Sequence, residues 1–234
     1  MNGLLARALG RGHRDLPAPL RRTAACKVAV DRRAAIGEVD YVAFDTELTG
    51  LDPRRDSIIS IGAVRLRGGR IFPGQVFSRL VQPESELRSE GVVVHELVHS
   101  DLEGAERASD VLIDFLEFIG DAVLIGHFVH IDVGFVHRAM KKIFAVGFAR
   151  AAIDTSTLHD WLIDNDPSLA AHHGGISVKK DLFSTAGRYG IAVDRPHDAL
   201  FDAFVAAQLF QRFLPFLPDN GVGTVGELLG VGKP

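Results

Sequence analysis

The sequence YVAFDTELTGLDP, residues 41–53, runs from an apolar strand through two acidic residues into a turn. Side chains two positions apart in a strand point to the same face, so Asp45 and Glu47 are expected to lie side by side. Two carboxylates on one face can ligate a single divalent cation. The turn residues at 49–53 support a plainer interpretation, a solvated strand end, and the pair alone favours that one.

Composition narrows the class of protein. The chain of 234 residues is 47% apolar and 24% charged, which is typical of a globular domain. Its single cysteine, Cys26, cannot form an internal disulfide, which fits a reducing compartment. No apolar stretch has the length of a membrane span, and residues 1–14 lack the features of a secretory signal. We expect a soluble, cytoplasmic protein with no membrane partner.

Charge is distributed unevenly along the chain. Residues 1–33 carry eight Lys and Arg against two Asp, whereas the whole chain has a net charge of −4. We interpret residues 1–39 as a basic N-terminal extension, which either holds a polyanion or is a solvated tail. Residues 40–217 are predicted to form one domain, followed by a loosely held, Gly-rich C-terminal tail at 218–234.

Hydrophobic periodicity predicts an α/β domain. Helical spacing alternates with strand patterns, which is typical of a mixed sheet of five strands flanked by helices. The strands are predicted at 41–45, 57–66, 71–82, 122–126 and 151–154, and the helices at 108–119, 132–145, 155–164, 177–188 and 198–214. Residues 165–176, which contain paired His and Gly, are predicted to form a loop.

Two further acids and a histidine stand at the starts of predicted helices. Asp132 follows a buried strand, and His197 precedes Asp202 by five residues. Either acid alone is explained by the preference of carboxylates for helix N-termini. With Asp45 and Glu47, however, they supply enough carboxylates for two divalent cations, which can promote phosphodiester cleavage. A neutral histidine can take the proton of the attacking water.

These residues resemble the DnaQ-like 3′→5′ exonucleases of the DEDDh type over about residues 40–215. The first motif of that family, DxE followed by TG, is present at 45–50. The second, a GH segment leading to an Asp, is present at 126–132, and the third, HxAxxD, at 197–202. The ordered set is far more specific than any one motif, and it reverses the plainer interpretation of the first pair. The resemblance implies a ribonuclease H-like fold.

The resemblance also implies roles for the acids and the histidine. Asp45, Glu47 and Asp202 would surround the cation that binds the attacking water. Asp45 and Asp132 would hold a second cation, both cations being Mg²⁺ or Mn²⁺, and His197 would be the general base. The residues expected to contact the substrate are Thr46, Leu48, Thr49, His95, His127 and Phe128.

Two positions depart from the family pattern. Leu48 replaces the commoner Thr, and Phe128 stands where Asn is usual. A polar contact near the scissile nucleotide is therefore expected to be lost. Phe128 could instead stack on a base, although packing in the core is the simpler explanation.

Residues 95–99, HELVH, match the HExxH signature of zinc metalloproteases. The segment follows three consecutive valines and is soon followed by Gly104, so a long helix is not expected there. A protease would also leave the four ordered acids unexplained.

The sequence therefore predicts a metal-dependent 3′→5′ exonuclease acting on single-stranded or frayed DNA, of a proofreading or repair type, with a polymerase as a potential partner. An RNA exonuclease of the oligoribonuclease or RNase T kind shares the same acids. The pattern also leaves open a zinc protease and a non-catalytic nucleic-acid-binding protein.

Overall fold

The computed structural model describes residues 17–24, 30–83, 101–173 and 179–234. In that part of the chain the strands are β1 Asp40–Leu48, β2 Ile58–Arg67, β3 Arg70–Leu80, β4 Val123–Gly126 and β5 Ala152–Asp154. The helices are α1 Ala18–Ala24, α2 Ala108–Ile119, α3 His130–Phe144, α4 Thr155–Asn165, α5 Pro167–His173, α6 Leu182–Arg188, α7 Ala199–Phe213 and α8 Val225–Val231. Short 3-10 turns at Leu214–Phe216 and Pro218–Asn220 join α7 to α8.

The five strands form one mixed sheet in the order β3-β2-β1-β4-β5. β1 pairs antiparallel with β2 and parallel with β4, and β4 pairs parallel with β5. The prediction of an α/β fold with a five-stranded mixed sheet is confirmed. Because β1, β4 and β5 run the same way, their carboxyl ends meet at one edge of the sheet, which is where open α/β sheets bind ligands.

β1 is the central strand and is apolar on both faces. Residues 41–44 are fully buried, which explains why they form a continuous apolar run instead of an alternating one. On one face Tyr41 packs against Phe210 of α7, with ring centroids 5.0 Å apart. On the other face Phe44 packs against Phe115 of α2 at 5.5 Å. Helices thus cover both faces and hold β1 rigidly between them.

The Gly-rich C-terminal residues do not form a loose tail, so this prediction is wrong. Thr224 and Glu227 form a reciprocal capping box that starts α8. Val225 and Leu228 are fully buried in the core. The amide of Val225 also donates to the carbonyl of Ala34, which ties the end of the chain to the segment before β1.

The loop predicted at 165–176 contains a helix, α5, so the prediction is wrong for residues 167–173. Oδ1 of Asp166 accepts hydrogen bonds from the amides of Ser168 and Leu169, and Pro167 occupies the first helical position. A capping acid followed by proline is a sequence signal for a helix start, and the paired His and Gly obscured it.

The described part of the N-terminal extension contributes to the core. Leu20 of α1 and Ile36 are both buried, at 1% and 7% exposure. The amide of Ile36 donates to the carbonyl of Gly223. A solvated tail is therefore not the right description of residues 17–24 and 30–39.

Among the described residues, no helix is long and apolar enough to cross a membrane. The HExxH motif at 95–99, which includes His95, and the lone Cys26 lie outside the residues that the structure describes.

Candidate metal centre

Three carboxylates converge at the carboxyl end of β1. One ligand oxygen each from Asp45, Glu47 and Asp202 lie within 4.8 Å of one another. The strand supplies the first two on one face, and the first turn of α7 supplies the third. Glu47 and Asp202 are buried, whereas Asp45 retains some exposure. Groups this close can bind one cation together.

Gly62 allows α7 to bring Asp202 to the strand. Gly62 is the direct partner of Asp45 in the pairing of β1 with β2. A methyl group there would lie 2.1 Å from the backbone nitrogen of Leu200, in the first turn of α7. The helix start is fixed by Asp198, whose side chain accepts hydrogen bonds from two amides of that turn. The close approach of backbone to backbone thus determines the position of the third acid.

Asp132, in the first turn of α3, is oriented by β1. Its Oδ1 accepts a hydrogen bond from the amide of Thr46 at 3.0 Å and another from the hydroxyl of Thr46 at 2.6 Å. Thr46 stands between Asp45 and Glu47 in the strand, so the fourth acid is held directly beside the other three. Its oxygens lie outside the 4.8 Å group, but its charge raises the pKa of Asp45.

Burial raises the pKa of every acid in the cluster, and repulsion from the other acids of the cluster raises the pKa values of Asp45 and Glu47 further. Burial is the largest effect on Asp45, followed by the charge of Asp132, and together they raise its pKa well above the ordinary value. Burial and the charge of Asp202 raise the pKa of Glu47 to about 8. Burial raises the pKa values of Asp132 and Asp202 to about 7, against the opposing hydrogen bonds that each accepts. A bound cation would favour the ionised forms of all four.

Asp202 has one oxygen that suits a cation. Its Oδ2 accepts a hydrogen bond from the amide of His197 at 3.1 Å. Its Oδ1 is buried and makes no hydrogen bond with any described residue. An unsatisfied buried oxygen is costly, and a divalent cation would satisfy it. Carboxylate oxygens are the ligands that Mg²⁺ and Mn²⁺ prefer, so the donor set fits the predicted metals.

His197 lies beside the acids on the segment before α7. Its backbone has φ of 65°, in the left-handed region that side chains with a Cβ seldom adopt. Its ring meets Phe183 edge-on, with centroids 5.2 Å apart, and neither ring nitrogen is hydrogen-bonded to a described residue. His197 and Glu47 line one cleft of about 480 Å³. The imidazole is therefore placed to exchange a proton with a molecule in that cleft.

His127 is held within the protein by both ring nitrogens. Nε2 donates to the carbonyl of Lys180 at 2.7 Å, and Nδ1 is 2.8 Å from the hydroxyl of Thr155. Burial lowers its pKa, and the same Thr155 hydroxyl also donates to the carbonyl of Gly126 at 3.1 Å. Neither nitrogen is left for the substrate contact that the sequence suggested, and the ring instead joins the end of β4 to α4 and to the segment before α6.

The other predicted substrate contacts differ in exposure. Phe128 is 36% exposed and has φ of 54°, at the turn that leads into α3. Leu48 is partly buried and packs against the core. Thr49 is fully buried, and its hydroxyl accepts a hydrogen bond from the amide of Ser57. Of these three side chains, Phe128 presents the most surface near the acids.

Sequence reasoning missed Asp154, which supports the site from β5. Its Oδ2 accepts a hydrogen bond from the amide of Val129 at 2.8 Å, and its Oδ1 accepts from the amide of Ser156. The residue thereby fixes the turn before α3 and caps α4 at once. The capping pattern DTST after a strand was the available signal for the second role. The first depends on a tertiary contact that the sequence does not reveal.

Comparison with known proteins gives a consistent family. A family model described as Exonuclease, of the RNase T type, matches residues 42–210. The chain is 30% identical over 195 residues to DNA polymerase III PolC-type of Thermotoga maritima, a match that covers 83% of this chain and 13% of that protein. It is also 30% identical to the DNA polymerase III subunit epsilon-like protein of Rhodobacter capsulatus, with 83% and 26% covered. The chain thus spans about an eighth of the polymerase and a quarter of the epsilon-like protein.

Solved structures share the fold at lower identity. Exonuclease X, in complex with 5′ overhanging duplex DNA, has a TM-score of 0.60 and 17% identity, with 82% of this chain and 99% of that chain covered. Exonuclease I of E. coli, in complex with a dT13 oligonucleotide, has a TM-score of 0.65 and 13% identity, with 78% and 43% covered.

Proposed function

The chain belongs to the exonuclease family of RNase T type, and on that premise we propose that it is a metal-dependent 3′→5′ exonuclease that releases nucleotides from a DNA end. The observation that carries the proposal is the convergence of Asp45, Glu47 and Asp202, with Asp132 held beside them by Thr46. No cationic side chain among the described residues pairs with these four carboxylates. Each of them is ionised only at a cost in free energy, so the cluster serves no purpose in stability. Metal-assisted phosphodiester hydrolysis would give the cluster a purpose.

The four acids are the groups that would hold Mg²⁺ or Mn²⁺, in a pair as the number of carboxylates suggests. When bound, such cations activate water and neutralise the charge that develops on the phosphate. The protein contributes rigid placement. Asp45 and Glu47 stand on a strand buried on both faces, and Asp202 stands on a helix that packs closely against the neighbouring strand β2 at Gly62.

His197 supplies the base in this proposal. Its imidazole accepts a proton from the water that attacks the terminal phosphorus, while the bond from phosphorus to the 3′ oxygen of the preceding nucleotide breaks and that oxygen takes up a proton from solvent. The products are a nucleoside 5′-monophosphate and a strand shortened by one nucleotide with a free 3′ hydroxyl. The hydrogen bond from the His197 amide to Asp202 links the base to the acid cluster.

Phe128 supports a frayed or single-stranded substrate. Its exposed ring stands on the turn immediately before α3, the helix that carries Asp132. Aromatic rings at such positions stack on unpaired bases, each stack being worth about 1–3 kcal/mol. The ring then replaces the polar contact of the usual Asn with a sequence-tolerant one.

DNA is the proposed substrate, and a polymerase the proposed partner. Relatives named as DNA polymerase III PolC-type and epsilon-like support a role in proofreading. Solved neighbours in complex with DNA support the choice of sugar. Residues 40–217 hold the whole set of proposed site residues described by the structure, and we propose them as the catalytic unit.

The test is the loss of activity in Asp45→Ala measured on a 3′-terminal oligonucleotide with Mn²⁺. We expect activity to fall by at least about 10³-fold while the far-ultraviolet circular dichroism spectrum is kept. Asp101→Ala, which removes an exposed acid distant in sequence, is the control and should retain activity. Full activity in Asp45→Ala would exclude the proposal.

The variant His197→Ala tests whether His197 is a general base or a metal ligand. Hydrolysis should fall by about 10²–10⁴-fold, whereas Mn²⁺ binding measured by calorimetry should be close to that of the wild type. Loss of Mn²⁺ binding in this variant would instead make His197 a ligand.

A further inference from the structure

A second cavity lies on the far side of α3 from Asp132. It has a volume of about 680 Å³ and is lined by one face of α3, the start of β5 with the residues before it, Arg32, and the end of α8 with the residues after it. We call it the basic cavity, because its ionisable side chains are those of Arg32, His130, His137, Arg150 and Lys233. No Asp or Glu is among the described residues that line it.

This composition is unusual for the body of the molecule. Residues 34–234 contain 18 Lys and Arg against 28 Asp and Glu, so a cavity whose ionisable lining residues are all basic opposes the overall charge. Arg32 and Lys233 are exposed at its rim and make no ion pair with any described residue. A concave surface with one sign of charge concentrates ligands of the opposite sign.

Backbone contacts hold the walls of the basic cavity in place. The amide of Gly226 donates to the carbonyl of Arg32, and the amide of Asp154 donates to the carbonyl of Gly232, both at 2.8 Å. A methyl group at Gly232 would lie 2.9 Å from the side chain of Ile153, so this segment lies directly on β5. The N-terminal and C-terminal segments thus bring two cations from opposite ends of the chain to one cavity.

Two side chains inside the basic cavity are also fixed. Nδ1 of His137 is 2.9 Å from the carbonyl of Phe148. Nη1 of Arg150 donates to the carbonyl of Gly120 at 2.7 Å. Anchored side chains lose little entropy when they bind a ligand, which favours a built site over a chance collection of surface charges.

The basic cavity adjoins the metal centre through α3. His130 opens the helix, two residues after the exposed Phe128 and two before Asp132. His137 lies about 10 Å farther along the same helix, at a rise of 1.5 Å per residue. Because the basic cavity lies on the opposite face of α3 from Asp132, a chain of phosphates that ends near Asp132 would reach it around the start of the helix, at His130.

We propose that the basic cavity binds the phosphodiester backbone of the nucleic-acid strand whose 3′ end enters the metal centre. This inference rests on the proposed function. Phosphate is the anion that Arg and Lys recognise through charge-assisted hydrogen bonds, and contacts to the backbone position a strand without reading its sequence. The cavity accordingly adds affinity and length preference, while the acids carry out the cleavage.

The test compares Arg32→Ala/Lys233→Ala with the control pair Lys141→Ala/Arg212→Ala, which removes two exposed bases outside the basic cavity. Binding of a 5′-labelled 20-nucleotide single strand is measured by fluorescence anisotropy in EDTA, so that no hydrolysis takes place, at several salt concentrations. The slope of log Kd against log salt should become shallower by about 1.4 in the cavity pair, since each lost phosphate contact on a single strand accounts for about 0.7. The control pair should keep the wild-type slope.

Equal slopes in the wild type and the cavity pair would overturn the proposal, as would an equal reduction in both pairs. A free phosphate is the other source of the same chemistry, so inorganic phosphate binding is measured by calorimetry on the same proteins. Weaker phosphate binding in the cavity pair with an unchanged oligonucleotide slope would overturn the assignment to a strand.

Hydrolysis of thymidine 5′-monophosphate p-nitrophenyl ester with Mn²⁺ distinguishes this inference from the proposed function. The ester is too small to reach both sites, so the cavity pair should hydrolyse it at the wild-type rate. An inactive wild type would count against the proposed function, whereas an active wild type with equal slopes would count against the basic cavity alone.

Discussion

The amide and hydroxyl of Thr46 both donate to Oδ1 of Asp132, so one threonine orients the acid that α3 contributes. In the sequence Thr46 stands between two acids and was predicted to contact the substrate. Its side chain instead points to the other face of the strand, where it is 7% exposed and bonded to Asp132. We therefore expect Thr46 to affect the reaction through the acid that it positions.

Replacement of Thr46 with Val tests this role. Val keeps the branched shape and the backbone amide but loses the hydroxyl that donates at 2.6 Å. Loss of a group that orients a metal ligand typically lowers activity by about 10–100-fold. We expect that reduction in kcat in the oligonucleotide assay, with a melting temperature near that of the wild type.

Thr46→Ser is the matched control, because it restores the hydroxyl. Its kcat should be within about threefold of the wild type if orientation of Asp132 is the cause. A wild-type kcat in Thr46→Val would show that the amide of residue 46 alone suffices.

Glu47 gives the stability of the metal-free protein a characteristic dependence on pH. Its pKa is raised from 4.5 to about 8, so the folded state holds the proton more tightly than the unfolded chain. The unfolded state then loses its proton first, and the free energy of unfolding falls as the pH rises from about 4 towards 8. In EDTA, Glu47→Gln should therefore be more stable than the wild type at pH 8 by at least about 1 kcal/mol, and about equal to it at pH 4.

Urea denaturation at the two pH values measures this difference. Glu38→Gln, which changes an exposed carboxyl, should show no such pH-dependent gain. Addition of Mg²⁺ should stabilise the wild type more than Glu47→Gln at pH 8, since a cation bound only to the folded state adds to its stability. A Glu47→Gln variant that is less stable than the wild type at pH 8 without metal would contradict the account of the cluster.

At the scale of elements, the closest contact in the site is between β2 and the start of α7. A methyl group on Gly62 would lie 2.1 Å from the nitrogen of Leu200 and 2.2 Å from the carbonyl carbon of Ala199. Neither backbone atom can rotate away as a flexible side chain would. The whole first turn of α7, and Asp202 with it, must move if residue 62 gains a side chain.

Gly62→Ala should therefore lose both stability and activity. We expect the free energy of unfolding to fall by roughly 3 kcal/mol and kcat to fall further than stability explains, because 1 Å of displacement at a ligand can cost about 100-fold. Gly187→Ala is the matched control: it lies in α6, and its methyl group would meet nothing within 4 Å. That variant should be neutral or more stable by up to about 1 kcal/mol. Equal behaviour of the two variants would show that α7 does not depend on Gly62.

The strands and the longer helices were predictable from the sequence, whereas two short helices were not. β1 was predicted from its continuous apolar run, and β2, α2 and α7 were predicted from their apolar periodicity. α5 and α8 have seven residues each, which is too few for an isolated helix to be stable. Whether they form therefore depends on burial of their side chains in the folded protein. The capping patterns at Asp166 and at Thr224 were visible in the sequence, but nearby glycines and histidines weighed against them.

The features of the site were also predictable only in part. The spacing of Asp45 and Glu47 follows from strand periodicity, and the places of Asp132, His197 and Asp202 followed from the family resemblance. The internal hydrogen bonds of the Thr46 and His127 side chains depend on residues 86 and 53 positions away, Asp132 and Lys180. Contacts of that separation are set by the tertiary fold, which the sequence pattern does not specify.

In the whole molecule, the segment before β1 and the C-terminal segment are in contact with each other. Ala35 and Thr224 form an antiparallel bridge, and Ile36 accompanies them into the core. α8 then packs against β5 and α4, and Val225 and Leu228 are buried in the core. The segment after residue 217 is thus part of the domain that carries the acids, and it also forms one wall of the basic cavity.

Leu228→Ala measures how much α8 contributes. Leu228 is fully buried, so its truncation should lower the free energy of unfolding by about 2–5 kcal/mol. Leu51→Ala is the control, since Leu51 is 76% exposed and its truncation should change stability by less than about 0.5 kcal/mol. An effect of Leu228→Ala as small as that of Leu51→Ala, measured by urea denaturation, would mean that α8 is only loosely attached.

We propose that the acids at the end of β1 cleave a nucleic acid from its 3′ end with the help of divalent cations. The most direct measurement is the ladder of products from 5′-labelled DNA and RNA strands of one sequence, each with a free or a blocked 3′ end, incubated with Mg²⁺ or with EDTA. We predict stepwise shortening of DNA with a free 3′ end, faster than that of RNA, and no products when the 3′ end is blocked or EDTA is present. Equal cleavage of strands with blocked 3′ ends, or undiminished cleavage in EDTA, would contradict the account.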